Sequence, residues 1–442
     1  MNCLIPRSAG TILARVEASS LASRLTKGAL WSVVGAVFSR FFHLTSFILV
    51  ARVLGKERFG ELGIIQSTLG MFGAFAGFGL GLTATKHVAE FRSTDPAKAG
   101  RIMALSTLTA LVMGGLTTGV LVVYAPWLAS RTLAAPHLAG PLRIGASLVL
   151  LGALIGTQTG ALTGFEAFGS IARVNLLSGL LLFPLMVGGS YCLGLEGAVW
   201  GLVISQGINW LLNHTALRKH TAGAAIPFQA VGGWQERFVL WKFSLPAALG
   251  AVMVGPVMWA CNAMLVNQPN GYSEMGLFNA ANQWRIAILF FPMAASRMVL
   301  PILTDLRSLR EMTGYTKTLR LSTAFNGILA LAVALPVCIL AEGILRVYGN
   351  DFASAHAALI LLAISAVPQA LNNVVGDAIT SRGHMWIGFV FNLMWGTVLL
   401  ILTYGFVHSG YGATGLALAT LTAYIAHTLW QAGYVVRQQN ER

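Results

Sequence analysis

Charge is scarce in this sequence. Only 10% of its 442 residues are charged and only 15 are acidic, against about a quarter charged in soluble globular domains, which excludes a water-soluble fold. Cysteine is scarce as well: Cys3, Cys192, Cys261 and Cys338 lie far apart, three of them inside apolar runs. Their spacing fits no zinc, redox or disulfide framework, and they read as small packing residues. Catalytic signatures are also missing, with no Walker A loop, no H-E-x-x-H, no G-x-S-x-G and no closely spaced carboxylate pair in a loop. The expectation is a chain that is not an enzyme and carries neither cofactor nor metal.

Apolar residues are what the chain has in abundance, at 56% with a mean hydropathy of +0.71. A helix needs about 20 apolar residues to cross a bilayer. Windows of that kind fall at 28–52, 61–83, 102–124, 141–164, 171–193 and 195–216, and again at 243–266, 275–303, 319–341, 355–379, 387–407 and 412–434. The fold expected is therefore all-α and polytopic, with twelve membrane-spanning helices. Short loops join them, so function must reside in the helices and their loops. Residues 1–27 read as a tail that stays attached, because Arg7, Arg15 and Arg24 interrupt any signal-peptide core. Residues 11–27 could equally form a short interfacial helix.

The 29 Lys and Arg residues leave a net charge of +14, which in a membrane chain marks basic cytoplasmic loops rather than nucleic-acid contacts. With the N-terminus inside, alternate loops and tails hold twenty Lys and Arg on the cytoplasmic side and four (Lys56, Arg58, Arg131, Arg346) on the other. Both termini are then expected in the cytoplasm.

The two halves match at a steady offset. Gly160 corresponds to Gly376, Asn175 to Asn392 and Gly197-Ala198 to Gly412-Ala413, at offsets of 216, 217 and 215. Each repeat has six helices, an even number, so both enter from the same side and are parallel repeats about an axis along the membrane normal. The expected plan is an N-lobe at 28–216, a cytoplasmic linker at 217–242, a C-lobe at 243–434 and a cytoplasmic tail at 435–442, with a cavity between the lobes.

Ionisable and amide residues inside apolar windows are the candidates for function, since burying a charge there costs several kcal/mol and such groups usually face the bundle interior or a wet cavity. Arg40 stands twelve residues into the first window, near the midplane. Ser32, Ala36, Ser39, Arg40, His43 and Ser46 share one side of that helix, while Trp31, Val34, Phe38, Phe41, Ile48 and Leu49 share the other. Arg40 then either lines a cavity or is held in a buried pair or on backbone carbonyls, and His43 beside it is either a titrating group or a neutral hydrogen-bond partner. The eighth window carries Asn279, Asn282, Gln283 and Arg285, a polar density expected either to line the same cavity or to glue helices together; Arg285 needs an anion or carboxylate nearby. Arg297 lies nearer the cytoplasmic end and can snorkel. In the tenth, Gln369, Asn372, Asn373 and Asp377 recur at helical spacing, Asp377 being a candidate for ion coupling or for simple interfacial exposure. Asn262 reads as helix glue. Pro246 and Pro256 in the seventh window are candidate hinges.

Three stretches resemble a known family: Lys27-Gly28-Ala29-Leu30-Trp31; Ala51-Arg52-Val53-Leu54-Gly55-Lys56-Glu57-Arg58-Phe59-Gly60; and the run from Gly79 through Lys86-His87-Val88-Ala89-Glu90-Phe91-Arg92. They look like a bacterial polysaccharide flippase (Wzx-like), of the oligosaccharide-lipid branch of the multidrug/oligosaccharidyl-lipid/polysaccharide (MOP) exporter superfamily. The resemblance is sharpest over 27–102 and continues more weakly to the C-terminus. It implies movement of a polyprenyl-pyrophosphate-linked oligosaccharide from the inner to the outer leaflet of the bacterial cytoplasmic (inner) membrane, beside a polysaccharide polymerase and glycosyltransferases. It also implies that basic cavity residues hold the pyrophosphate and acidic sugars, a role falling on Arg40 and Arg285, with Lys86 near the cytoplasmic mouth. The other readings are a cation-coupled multidrug exporter, expected to carry an acid in a first helix that here has none; a lipid II flippase, usually with fourteen spans; and a non-transporting scaffold of a glycan-assembly complex.

Overall fold

The computed structural model describes residues 20–77, 79–227, 233–239, 244, 253–296, 299–309, 311–382 and 384–440. Each of the twelve windows holds helix among these residues, and no strand occurs among them. In order, the main helices are α1 (Ser20–Gly77), α2 (Leu80–Phe91), α3 (Pro96–Trp127), α4 (Ala139–Gly145), α5 (Ser147–Gly164), α6 (Phe168–Gly223), α7 (Val254–Val266), α8 (Gly271–Ser296), α9 (Val299–Ser308), α10 (Met312–Ile339), α11 (Ala341–Arg346), α12 (His356–Ser381), α13 (Met385–His408) and α14 (Gly412–Asn440).

At 1.5 Å per residue, the 58 residues of α1 and the 56 of α6 are far too long for one crossing. Each is two spans meeting at a glycine with non-helical backbone, Gly55 (φ 76°, ψ 171°) and Gly194 (φ 60°, ψ −132°). Only a residue without Cβ adopts these angles cheaply, so these glycines turn the chain back into the membrane. Among the described residues seven helical runs are long and apolar enough to cross a membrane, two of them these double spans; the protein is an all-α polytopic membrane protein. The structure differs from the sequence reading in three places. Helix α1 begins at Ser20, inside the expected tail. The second window is interrupted at Gly79, which is left-handed (φ 64°), because the closely spaced Gly77, Gly79 and Gly81 give the helix little to hold it. The linker is helical as far as Gly223, and beyond it Glu236 pairs with Arg101 of α3 at 3.1 Å. Residues 1–19, Pro246 and Arg297 lie outside the described residues; Pro256 stands in the first turn described for α7.

Helices of the first half pack on one another, α1 on α6 and α2, α3 and α6 on α5, while α10 and α14 pack on α12, and α13 on α14 and α7. The repeat is visible in this packing. A Cβ on Gly179 of α6 would lie 2.9 Å from the Ser39 Cα of α1, and one on Gly396 of α13 would lie 3.1 Å from Val257 of α7. Small residues let the same helix pair close up in both halves.

The turns at Gly55, Thr132–Pro136, Gly194, Asn267–Asn270 and Ser409–Tyr411 share one end of the bundle, here the Gly55 end; those at Arg92–Asp95, Phe165–Ala167 and Arg382–His384 share the other, the Arg92 end. The halves meet chiefly toward the Gly55 end, where the second limb of α1 lies against α8. A Cβ on Gly60 would fall 1.8 Å from the Tyr272 carbonyl oxygen, and one on Gly276 1.9 Å from that of Lys56. The Tyr272 hydroxyl donates to the Leu133 carbonyl (2.6 Å), Asn262 to Ser67 (2.8 Å) and the Trp259 indole to Thr68 (3.0 Å). Phe59 sits edge-on to Tyr348 and Phe352 at 6.5 and 6.0 Å. Toward the Arg92 end the described hydrogen bond between the halves is Thr83 to Ser244, at 2.7 Å.

Candidate substrate-binding site

Arg40 lies at the seam between the halves, half-buried on α1. One guanidinium N–H donates to the Gln283 carbonyl of α8 at 3.1 Å, and its Nε is buried without a partner. The same side chain lines a groove of about 170 Å³ whose other walls are apolar, among them Val37, Phe41, Trp284, Phe291 and Val337. Ser39, expected beside Arg40 on a wet face, instead packs against Gly179. Ser46 is buried and bonds back to the Phe42 carbonyl at 2.6 Å. Phe41 is 61% exposed, in keeping with the expected lipid face, and also borders the groove beside Arg40. His43 stacks on Phe47 with ring centroids 4.6 Å apart.

Arg285 is buried and turned the other way. Its Nε donates to Ser365 at 3.1 Å, Nη1 to Asn282 at 3.2 Å and Nη2 to Gln369 at 2.7 Å, and the guanidinium lies 5.1 Å from the Tyr424 ring centroid. The expected anion or carboxylate is replaced by three neutral oxygens and a ring face. This is a correction to the common cavity expected for the two arginines: Gln283 and Trp284 serve Arg40, while Asn282 and Arg285 face α12 and α14. The cause is helical geometry, since neighbours along α8 are rotated by about 100° and cannot share one face.

A second cavity, of about 660 Å³, lies within the C-terminal half among α8, α12, α13 and α14. The candidates Gln369, Asn372, Asn373 and Asp377 line it, so helical spacing in the tenth window did bring them to one place. Trp395, Tyr424, His427 and Gln431 complete it, and these the sequence reading missed. The signal was available: Tyr424, His427 and Gln431 are spaced three and four residues apart, a polar stripe on one face of an apolar helix. Lys86 is exposed on α2, away from both cavities. Beside it His87 stacks on Phe91 at 6.0 Å, and burial together with the Lys86 charge pushes its imidazole below the ordinary value, toward the neutral form. No group of three or more potential metal ligands occurs among the described residues.

The geometry offers a guanidinium beside an apolar slot and a separate, larger cavity with amide, indole and imidazole groups in its wall, an arrangement that can hold the charged and apolar parts of an amphiphile. Comparisons with known proteins agree with the fold. The EPS I polysaccharide export inner membrane protein EpsE of Ralstonia nicotianae is 30% identical over 205 residues, 45% of this chain and 46% of that protein, so the chain spans under half the length of this relative. The probable low-salt glycan biosynthesis flippase Agl15 of Haloferax volcanii is 21% identical over 431 residues, covering 93% of this chain and 83% of that one. Among solved structures, the inward-facing conformation of a MATE family multidrug resistance transporter of the MOP superfamily superposes with a TM-score of 0.72 at 14% identity, over 93% of this chain and 99% of that one. Residues 25–307, well over half of the chain, match the family described as polysaccharide biosynthesis protein, and the chain belongs to that family.

Proposed function

We propose that this protein is a flippase that moves a polyprenyl-pyrophosphate-linked oligosaccharide from the inner to the outer leaflet of the cytoplasmic membrane by alternating access, for assembly of a surface polysaccharide such as O-antigen, capsule or exopolysaccharide. The observation that carries this reading is Arg40, a half-buried guanidinium with an unused Nε at the edge of an apolar groove. An isoprenoid pyrophosphate has the matching form, a dianionic head on a hydrocarbon chain. A guanidinium forks onto two phosphate oxygens and stays charged when partly dehydrated. We assign the pyrophosphate to Arg40 alone. Three of the donors of Arg285 are already engaged, so its part is to hold Gln369 and Asn282 in place. The first helix carries no acid at its centre for a cationic drug, and the twelve windows fall short of the fourteen spans usual in lipid II flippases.

The charge count supports an orientation with the Arg92 end and both termini in the cytoplasm. The structure is then closed on the outer side. Alkaline phosphatase fused after Arg131, Asn270 or Ser409 is expected to be active, and after Asp95, Gly232 or Glu311 inactive; the reverse pattern overturns the orientation.

The reading is tested in cells by deleting the gene. Surface glycan should fall below detection while the lipid-linked oligosaccharide accumulates, protected from a glycosidase added outside. Unchanged surface glycan contradicts the reading, and so does loss of glycan without accumulation of its lipid-linked precursor.

A further inference from the structure

The 660 Å³ cavity of the C-terminal half takes no part in holding a pyrophosphate, yet it contains unfinished hydrogen bonding. Asn372, Trp395, His427 and Gln431 are each more than nine-tenths buried, and all four line the cavity. Each has one polar atom without a partner: Asn372 Oδ1, Trp395 Nε1, His427 Nδ1 and Gln431 Oε1. Buried polar groups are nearly always satisfied, and those that are not call for an explanation.

The pattern of these atoms is specific. Gln431 Nε2 lies 2.9 Å from His427 Nε2. This contact uses one ring nitrogen of His427 and one amide atom of Gln431 and leaves the other of each without a partner. Trp395 Nε1 is an unused donor, and with Asn372 Oδ1, Gln431 Oε1 and His427 Nδ1 it gives the wall both donors and acceptors. Beside them the Trp395 and Tyr424 rings pack on each other, centroids 5.4 Å apart and tilted by 43°, and give the wall an apolar portion. Separated donors and acceptors around aromatic rings fit a ligand whose groups both donate and accept and whose body is partly apolar.

We infer that this cavity is a subsite for an uncharged sugar unit of the glycan, with its hydroxyls on Asn372, Trp395, His427 and Gln431 and its apolar side against the Trp395–Tyr424 pair. The inference rests on the flippase reading and adds to it where the glycan, rather than the carrier, is recognised. Charge argues for a neutral unit, because the wall holds one acid, Asp377, while the guanidinium of Arg285 behind Gln369 and Tyr424 is already engaged by three neutral oxygens, so neither sign dominates. Size argues against a bare cation: a cation site gathers oxygens at about 2–2.6 Å, whereas this volume falls within the roughly 300–1,000 Å³ of small-molecule pockets. The wall at Asp377, Thr380 and Gly388 flanks the Arg382–His384 turn, so the cavity reaches toward the Arg92 end, away from the closed seam.

The test is equilibrium binding to the full chain in lipid nanodiscs with two probes: oligosaccharide hydrolysed from the host's own polyprenyl-linked pool, and polyprenyl pyrophosphate bearing no sugar. The wild type should bind both. His427→Ala with Gln431→Ala should weaken oligosaccharide binding by more than about tenfold, and Trp395→Phe, which keeps a ring and removes the N–H, by several-fold. Both variants should bind the sugar-free carrier as the wild type does, which also shows that they are folded. The subsite is overturned if the wild type does not bind the released oligosaccharide, or if the variants bind it equally well. Binding is read without transport, so failure of the subsite is distinguishable from failure of the flippase reading.

Discussion

Arg40→Ala should reduce surface glycan to near the level of a strain lacking the protein, and Arg40→Lys should retain part of it. A charge-assisted hydrogen bond contributes roughly 1.5–3 kcal/mol, and about 1.4 kcal/mol is a decade in affinity, so losing a two-pronged contact weakens carrier binding by more than about tenfold. Lysine keeps the charge and loses the fork. Truncation removes one hydrogen bond, to the Gln283 carbonyl, and relieves the membrane of a charge near its midplane, so insertion should be unharmed. Quantitative blotting of the membrane fraction checks this alongside glycan display. Wild-type glycan levels in Arg40→Ala at normal expression would make Arg40 a structural residue that ties α1 to α8.

The second large effect is expected at the seam that closes the Gly55 end. A Cβ at Gly276 would stand 1.9 Å from the Lys56 carbonyl oxygen, and that atom belongs to backbone, which cannot swing aside. Gly276→Leu should therefore prevent closure here and hold the halves apart, abolishing transport, because alternating access needs this end shut while the other is open. The readout is a single cysteine at Ser67, which faces α7 across the seam, in a background with the four native cysteines replaced by alanine. In Gly276→Leu it should react with a membrane-impermeant maleimide added from outside several-fold faster than in the parent. Equal reactivity together with full transport would show that the seam does not need to close.

Much of this architecture was legible from the chain. The windows located the spans because lipid forces every backbone polar group into helix, and the offset between the halves anticipated the matching contacts at Gly179 and Gly396. The partition of the polar residues was less accessible. Arg285 announced itself as a charge that must be compensated, but its partners Ser365 and Gln369 lie 80 and 84 residues away, and neither is acidic. Periodicity assigns a residue to a face of its own helix, not to the helix opposite. Tyr424, His427 and Gln431 escaped notice although His43 and the amides of other windows were singled out: they stand in the second half of the last window, 412–434, where a polar tip on an apolar body is ordinary near the end of a span. The break at Gly79 was hidden because glycine scores as neutral in hydropathy, so three alternating glycines leave an apolar window intact while weakening the helix within it.

Reconstitution isolates lipid-linked glycan transport by the chain itself. The purified chain is placed in liposomes that hold a fluorescently tagged polyprenyl-pyrophosphate-linked oligosaccharide, and a membrane-impermeant quencher is added outside. With the protein absent, only the outer-leaflet half of the tag should be quenched. With the protein present, an ion gradient imposed and no nucleotide supplied, quenching should proceed toward completion, and Arg40→Ala should return it to the protein-free level. Quenching that stays at one half with the wild type under every gradient, or that requires ATP, contradicts the account.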